Sequence, residues 1–162
     1  MTASNDLTYK NDNGVFNCRV GAIIIRENKL LMVKNDKNPY YYSVGGRVKF
    51  GETAEEAVIR EVFEETGVNA QIDRLGFVHQ NFFRIKDSVY HELAFFYYIK
   101  SVPEFDSICL EFIEGGNMEY LCWLDLDNIE KEYLYPEFFK SELKNRSDTV
   151  KMLTTNQLIE EN

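Results

Sequence analysis

Basic residues are scarce in this chain. It has 18 Lys and Arg against 27 Asp and Glu, and a formal net charge of -9 over 162 residues. No run of Lys or Arg is long enough for a nucleic-acid tract or a patch that binds anionic membranes. A polyanionic ligand would therefore need a cation as intermediary, and polymeric nucleic acid is not an expected partner. Cysteine is equally sparse. Cys18, Cys109 and Cys122 are odd in number, widely spaced and form no C-x-x-C pair, which argues against a disulfide framework, a zinc site or a thiol redox centre. The longest aliphatic run, Ile23 to Ile25, is far too short to span a bilayer. The polar N-terminal stretch carries no apolar signal region. These features together lead to the expectation of a cytoplasmic protein with reduced thiols and no membrane partner. No repeat, low-complexity tract or Pro/Gly/Ser linker breaks the chain, so a single domain over 1–162 is expected.

Apolar and aromatic residues, by contrast, are plentiful: 44% hydrophobic and 14% aromatic, enough for a sizeable core. Residues 15–25 and 29–34 are rich in β-branched and aromatic types and read as strands joined by a turn at Glu27-Asn28. Residues 40–44 read as a short strand running into Gly45-Gly46. Two long β-type runs, 70–85 and 89–99, alternate well enough to pair. Residues 101–116 read as a loop and 118–126 as a strand. Pro136 suits the first position of a second helix over 136–144, and 149–153 adds a final strand. Strands mixed with helices in one short chain predict an α/β (α+β) fold with a mixed sheet flanked by helices. The aromatic excess also fits a homodimer.

The main helix is 52-ETAEEAVIREVFEETGV-68. Thr53 with Glu56 three residues later makes a capping box, and Gly67 is a natural C′ residue. At 100° per residue, Ala54, Ala57 and Val58 share one side with Val62 at its edge. Glu61 and Glu65 fall inside the same stripe, and Glu64 lies beside it. Acids at the negative end of a helix are each unfavourable by about 0.3–1 kcal/mol. Two like charges four residues apart add about 0.2–0.5 kcal/mol, and burial increases both figures. A solvated charged helix explains Arg60, which can reach Glu56 or Glu64, but not Glu61 and Glu65. A hard divalent cation held by the three carboxylates removes each objection, so the residues favour a metal site over a solvated face.

From Gly46 to Val68 the chain reads G-x5-E-x7-R-E-V-x-E-E-x-G-V. This resembles the box of the Nudix (MutT-like) hydrolases, with Gly46, Glu52, Arg60, Glu61, Val62, Glu64, Glu65, Gly67 and Val68 at its fixed positions. The resemblance implies a Nudix-type α/β/α sandwich. It further implies metal-dependent hydrolysis of a nucleoside diphosphate linked to another group. Glu61 and Glu65 would be the principal ligands of Mg²⁺ or Mn²⁺. Glu64 would be a further ligand or would orient the attacking water, and the Gly46 carbonyl would complete part of the shell. Arg60 would pair with Glu52 and hold the helix acids in place. Gly45, Gly46 and Gly51 would let the backbone adopt positive φ close to a phosphate. Arg47 and Lys49 in that loop would either touch phosphate oxygens or simply face solvent.

A general base from a later segment is also implied. Glu111, Glu114 and Glu119 are candidates, and Glu114 is favoured because it abuts Gly115-Gly116. His79 and His91 are expected to be satisfied strand histidines, with His91-Glu92 able to line a pocket. Tyr40 to Tyr42 and Phe82-Phe83 are expected to pack in the core or an interface, with base stacking as the alternative. Val44 and Lys49 stand where many members carry Pro and an acid. Arg84 stands near the place of the proline that many ADP-ribose-cleaving members carry. A nucleoside triphosphate is therefore favoured slightly over a nucleotide sugar as the small-molecule substrate. The alternative from another class is a non-catalytic Nudix domain that senses a nucleotide, although such domains usually lose box acids that this chain keeps.

Overall fold

The computed structural model describes residues 5–159. Eleven strands and two short α-helices follow in the order β1 Thr8–Asn11, β2 Gly14–Ile23, β3 Ile25–Arg26, β4 Lys29–Asn35, β5 Tyr41–Arg47, α1 Ala54–Thr66, β6 Ile72–Ile85, β7 Ser88–Ile99, β8 Glu111–Glu114, β9 Asn117–Asp125, β10 Leu134–Tyr135, α2 Phe139–Glu142 and β11 Lys151–Asn156. The main path across the sheet is β11-β6-β7-β2-β5-β4-β9-β8. The sheet is mixed: β2 runs parallel to β7 and β11 parallel to β6, whereas β6–β7, β2–β5 and β4–β9 are antiparallel.

Alternation along the strands gives the sheet two apolar faces. Val20, Ala22 and Val44 point to one, where Ala57, Val58 and Val62 of α1 close a core with Phe105. Ile23, Leu30, Phe77 and Phe96 point to the other, where Ile129, Leu134, Phe139 and Leu143 cover them. The expected mixed sheet with helical cover on both faces is therefore present. The second cover is slight, made of a 3₁₀ turn over Leu126–Lys131 and the four residues of α2.

The local signals act as expected. Thr53 and Glu56 exchange hydrogen bonds, Glu56 N to Thr53 Oγ1 at 3.1 Å and Thr53 N to Glu56 Oε2 at 2.9 Å. Gly67 closes α1 with φ 75°. Glu27 and Asn28 both have positive φ, as a tight two-residue hairpin turn requires. The two long β-type runs pair as β6 and β7. Two expectations need correction. The segment 101–116 is not all loop: Pro103–Ser107 is a 3₁₀ turn anchored by buried Phe105, and β8 pairs with β9 across Gly115-Gly116. Both glycines have positive φ, so the pair is itself a hairpin signal. The helix over 136–144 shrinks to one turn. Phe139, Lys140 and Ser141 each donate to the carbonyl three residues back, and only Phe139 and Leu143 are fully buried there.

Candidate active site

The helix α1 delivers its acids inward as the wheel requires. Glu61 and Glu65 are each 6% exposed, and Ala57, Val58 and Val62 beside them are fully buried. Burial pushes the carboxyls of both above the ordinary range. Glu65 Oε1 accepts from the backbone N–H of Gly45 at 2.9 Å, while its Oε2 is buried without a hydrogen-bond partner. Glu64 lies on the outer side of the stripe and is exposed.

Arg60 organises the loop below. Its Nε donates to Glu52 Oε1 at 2.7 Å and its Nη2 to Glu52 Oε2 at 3.0 Å. Nη2 also donates to the Arg47 carbonyl at 3.1 Å, and Nη1 reaches Glu61 Oε1 at 2.6 Å and Glu64 Oε2 at 3.2 Å. The hydrogen bonds from Arg60 hold the Glu52 carboxyl below its usual range. Glu52 in turn accepts from the Lys49 backbone N–H at 2.9 Å. One cation thus gathers three of the box acids and the strand end. This qualifies the expected convergence of Glu61, Glu64 and Glu65. Among the described residues no three His, Cys, Asp or Glu side chains are gathered closely enough to hold a metal as they stand. The physical reason is Arg60, which draws Glu61 and Glu64 to itself, away from Glu65.

The donor set nevertheless fits a hard cation. A buried carboxylate oxygen without a partner is costly, and like charges a turn apart add to that cost. Gly46 presses against this group: a Cβ there would lie 2.5 Å from Glu61 Oε1. A Cβ at 46 would thus displace the Glu61 carboxyl, while positive φ requires glycine at Gly45 and Gly51, at 142° and 84°.

The remaining expected residues are scattered. Arg47 is exposed and pairs with Asp6 at 3.6 Å. Lys49 bridges to Asp6 through its backbone. Glu114 ends β8, where partial burial and then the charges of Glu61 and Glu119 push its carboxyl up. Glu119 is buried and accepts from the Tyr42 hydroxyl and from Asn35 Nδ2. Glu114 and Glu119 both bear electrostatically on Glu65. Glu111 is exposed, and its charge acts on Tyr120 instead.

A cavity of about 360 Å³ opens on the sheet face opposite α1, with Arg19, Tyr40, His79, Phe83, Glu92 and Thr155 in its wall. Arg19 lies 3.9 Å from Glu92, and its charge also reaches Glu61 and Glu114. Arg19 in the cavity wall thus bears electrostatically on the acid side of the sheet. On the neighbouring strand Arg19 stands directly opposite Arg47, a like-charge pairing that is destabilising unless an anion or acid intervenes. Sequence reasoning missed Arg19, although a lone Arg inside the apolar run 15–25 was a visible signal. His79 is satisfied as expected, by Thr155. Glu92 lines the cavity, whereas His91 stacks on Phe82 with ring centroids 4.2 Å apart. Of the aromatic residues, Tyr40 and Phe83 line the cavity, while Tyr41 packs against the second core.

A family model for the NUDIX domain matches residues 16–142. The chain belongs to the NUDIX family. An ADP-ribose pyrophosphatase of Methanocaldococcus jannaschii is 44% identical over 59 residues, 35% of each chain. A MutT-like protein of Streptomyces ambofaciens is 36% identical over 63 residues, 38% of this chain and 41% of that one. The matches thus span well under half of the length of these curated relatives. The crystal structure of a mutator MutT protein from Bacillus halodurans superposes with a TM-score of 0.63 over 87% of this chain and 91% of that one, at 15% identity. That likeness establishes the NUDIX fold. The box lies inside the matched segment; β11 lies beyond it. Among the described residues no helix is long and apolar enough to cross a membrane.

Proposed function

We propose that this NUDIX protein is a metal-dependent pyrophosphohydrolase. It cleaves the diphosphate linkage of a nucleoside diphosphate derivative, a nucleoside triphosphate or a nucleotide sugar, with release of a nucleoside monophosphate. The observation that carries this reading is the buried pair Glu61 and Glu65, which share one charge sign and leave an oxygen of Glu65 without a partner. Glu61, Glu64, Glu65 and the Gly46 carbonyl would hold Mg²⁺, with Mn²⁺ as a substitute. When bound, the ion neutralises the diphosphate and lowers the pKa of the attacking water.

The chain's own groups do the rest. Glu52 and Arg60 fix the acids at one end of α1. Arg19, between the acids and the cavity, binds a phosphate oxygen, with Arg47 and Lys49 as further contacts. Glu114 is the candidate to take the proton of the attacking water; its support is partial exposure beside the box acids. The cavity receives the nucleoside end, since its aromatic wall suits a flat ring. A triphosphate is favoured over a nucleotide sugar. The test is release of nucleoside monophosphate from a panel of triphosphates and nucleotide sugars, with Mg²⁺, Mn²⁺ or EDTA. Turnover that requires metal supports the reading; no turnover of any compound with either metal overturns it.

A further inference from the structure

Thr155 and His79 meet in the cavity wall, with Thr155 Oγ1 2.9 Å from His79 Nε2. His79 is 4% exposed, and burial pushes its pKa down to about 4, so the imidazole is neutral near pH 7. The ring lies 5.0 Å from Phe138 and 6.4 Å from Phe96, centroid to centroid, which restricts its rotation. A neutral imidazole has one donor and one acceptor nitrogen. The Thr155 hydroxyl can donate to Nε2 or accept from it, so the bond fixes the ring's position beside Thr155 in either tautomer.

Thr155 belongs to β11, which lies outside the 16–142 segment that matches the family. This strand docks in parallel along β6 from Lys151 to Asn156, and Gln157 N then donates to the Phe82 carbonyl at 2.8 Å. It brings both Thr155 and Gln157 to the cavity. One wall is therefore built by a strand beyond the family segment. Its hydrogen-bonding pair is uncharged, which suits a neutral polar edge better than a phosphate or carboxylate. Tyr40, Phe83 and Tyr135 supply aromatic surface in the same cavity.

We propose that β11 sets substrate choice, with Thr155 acting through and beside His79 to read the hydrogen-bonding edge of an uncharged nucleobase held against that aromatic wall. The inference rests on the reading of the cavity as the nucleoside end of the site. Val at 155 keeps the size and the strand preference of Thr but removes the hydroxyl, so Thr155→Val leaves β11 docked.

The experiment compares wild type and Thr155→Val on two readouts. One is kcat/KM with Mg²⁺ for the four ribonucleoside triphosphates. The other is calorimetric affinity for the corresponding monophosphates, which needs no catalysis. The expected result is that wild type prefers one base and that Thr155→Val loses about tenfold on that base only, the size of one net hydrogen bond. The melting temperature falls by a few degrees, because His79 Nε2 loses its partner while buried, and kcat/KM for the poorer bases stays the same. If no triphosphate turns over, the catalytic reading fails, and the monophosphate affinities alone decide this inference. Equal change across all four bases, no change, or no base preference in wild type by either readout overturns it.

Discussion

Glu65 and His79 are buried to almost the same degree, 6% and 4% exposed, on opposite sides of one sheet, and the two sites treat a buried titratable group in contrary ways. On the α1 side Glu65 and Glu61 add like charges at the negative end of a helix, and one Glu65 oxygen has no partner. On the far side His79 is neutral and bonded to a hydroxyl. On the proposed reading, the like charges and the free Glu65 oxygen are to be satisfied by a cation. A group satisfied internally and kept neutral suits a ligand whose recognition is by shape and hydrogen-bond pattern. On the proposed reading the difference divides the work: charge chemistry on one side and selection on the other.

The comparison breaks most visibly at Glu65. In Glu65→Gln, kcat should fall by on the order of 10²–10³, the scale for removing one preorganised electrostatic contributor at a reacting centre. The melting temperature should hold or rise, because the change removes a buried charge that burial opposes. Steady-state kinetics and thermal melts on the same preparation check both halves. Normal turnover with a lowered melting temperature would make Glu65 a structural residue.

Arg19 comes next in size. If it joins the two sites, Arg19→Gln should raise KM about tenfold, roughly 1.4 kcal/mol, with kcat within a few-fold of wild type. Lys at 19 should recover part of the loss, since it keeps the charge without the planar fork. A drop in kcat with unchanged KM would move Arg19 out of binding and into the chemistry of the acids.

How much of this was legible in the sequence follows the range of each signal. The capping box, the Gly67 cap, the Glu27-Asn28 turn and the box acids are written within a few residues of one another; the structure bears out the caps and the turn and buries Glu61 and Glu65, but Glu61, Glu64 and Glu65 do not converge as expected. The buried position of Glu61 and Glu65 follows from helical period alone. Short-range signals also misled where two competed. Gly115-Gly116 reads equally as loop or hairpin, and it is a hairpin. Pro136 reads as a helix start, but only one turn after it has apolar anchors. The cavity had no local signature. Its wall joins Arg19, His79, Glu92 and Thr155, which are brought together by the parallel pairings β2–β7 and β6–β11 across the antiparallel β6–β7 pair. The hold of Arg60 on Glu61 and Glu64 was hidden for a different reason: rotamer choice among several acids around one guanidinium leaves no trace in spacing.

Smaller effects on stability separate the two sides by sign. His79 has its folded pKa lowered to about 4 from 6.5. Between those values the unfolded chain binds a proton that the folded chain does not. Its contribution is therefore fully present above pH 6.5 and is lost as pH falls through that window. Glu61 and Glu65 are displaced upward, so the folded state takes up their protons first, and stability from these groups rises as pH falls. In EDTA the two trends oppose each other in wild type. In the Glu61→Gln/Glu65→Gln double variant the upward-shifted pair no longer offsets the His79 trend. Between pH 7 and pH 5 it should therefore lose more stability than wild type, because wild type is stabilised by the protons its buried acids take up as pH falls. Denaturant unfolding at the two pH values measures this, and parallel losses would mean that the buried acids do not differ from ordinary surface ones.

The smallest expected effect concerns the metal in the absence of substrate. A ligand that binds only the folded state stabilises it by RT ln(1 + [L]/Kd). Mg²⁺ keeps several of its waters and binds carboxylates weakly without a phosphate partner. At a few-fold excess over Kd the gain is about 1 kcal/mol, which for a domain of this size raises the melting temperature by about 2–4 °C. The site as it stands should keep the gain at the low end, because Arg60 already holds Glu61 and Glu64 and must yield them before an ion can share them with Glu65. A non-hydrolysable nucleotide should enlarge it, since its phosphates supply the missing ligands and bring charge that Arg60 and Arg19 can take instead. The Glu61→Gln/Glu65→Gln variant should lose the metal response and keep a smaller, metal-independent response to the nucleotide, because the cavity side is untouched. Melts of both proteins in EDTA, in Mg²⁺ and in Mg²⁺ with nucleotide separate these contributions. An equal response to Mg²⁺ in both would show that these two carboxylates are not the ligands. The burial of like charges in α1 would then need a different cause.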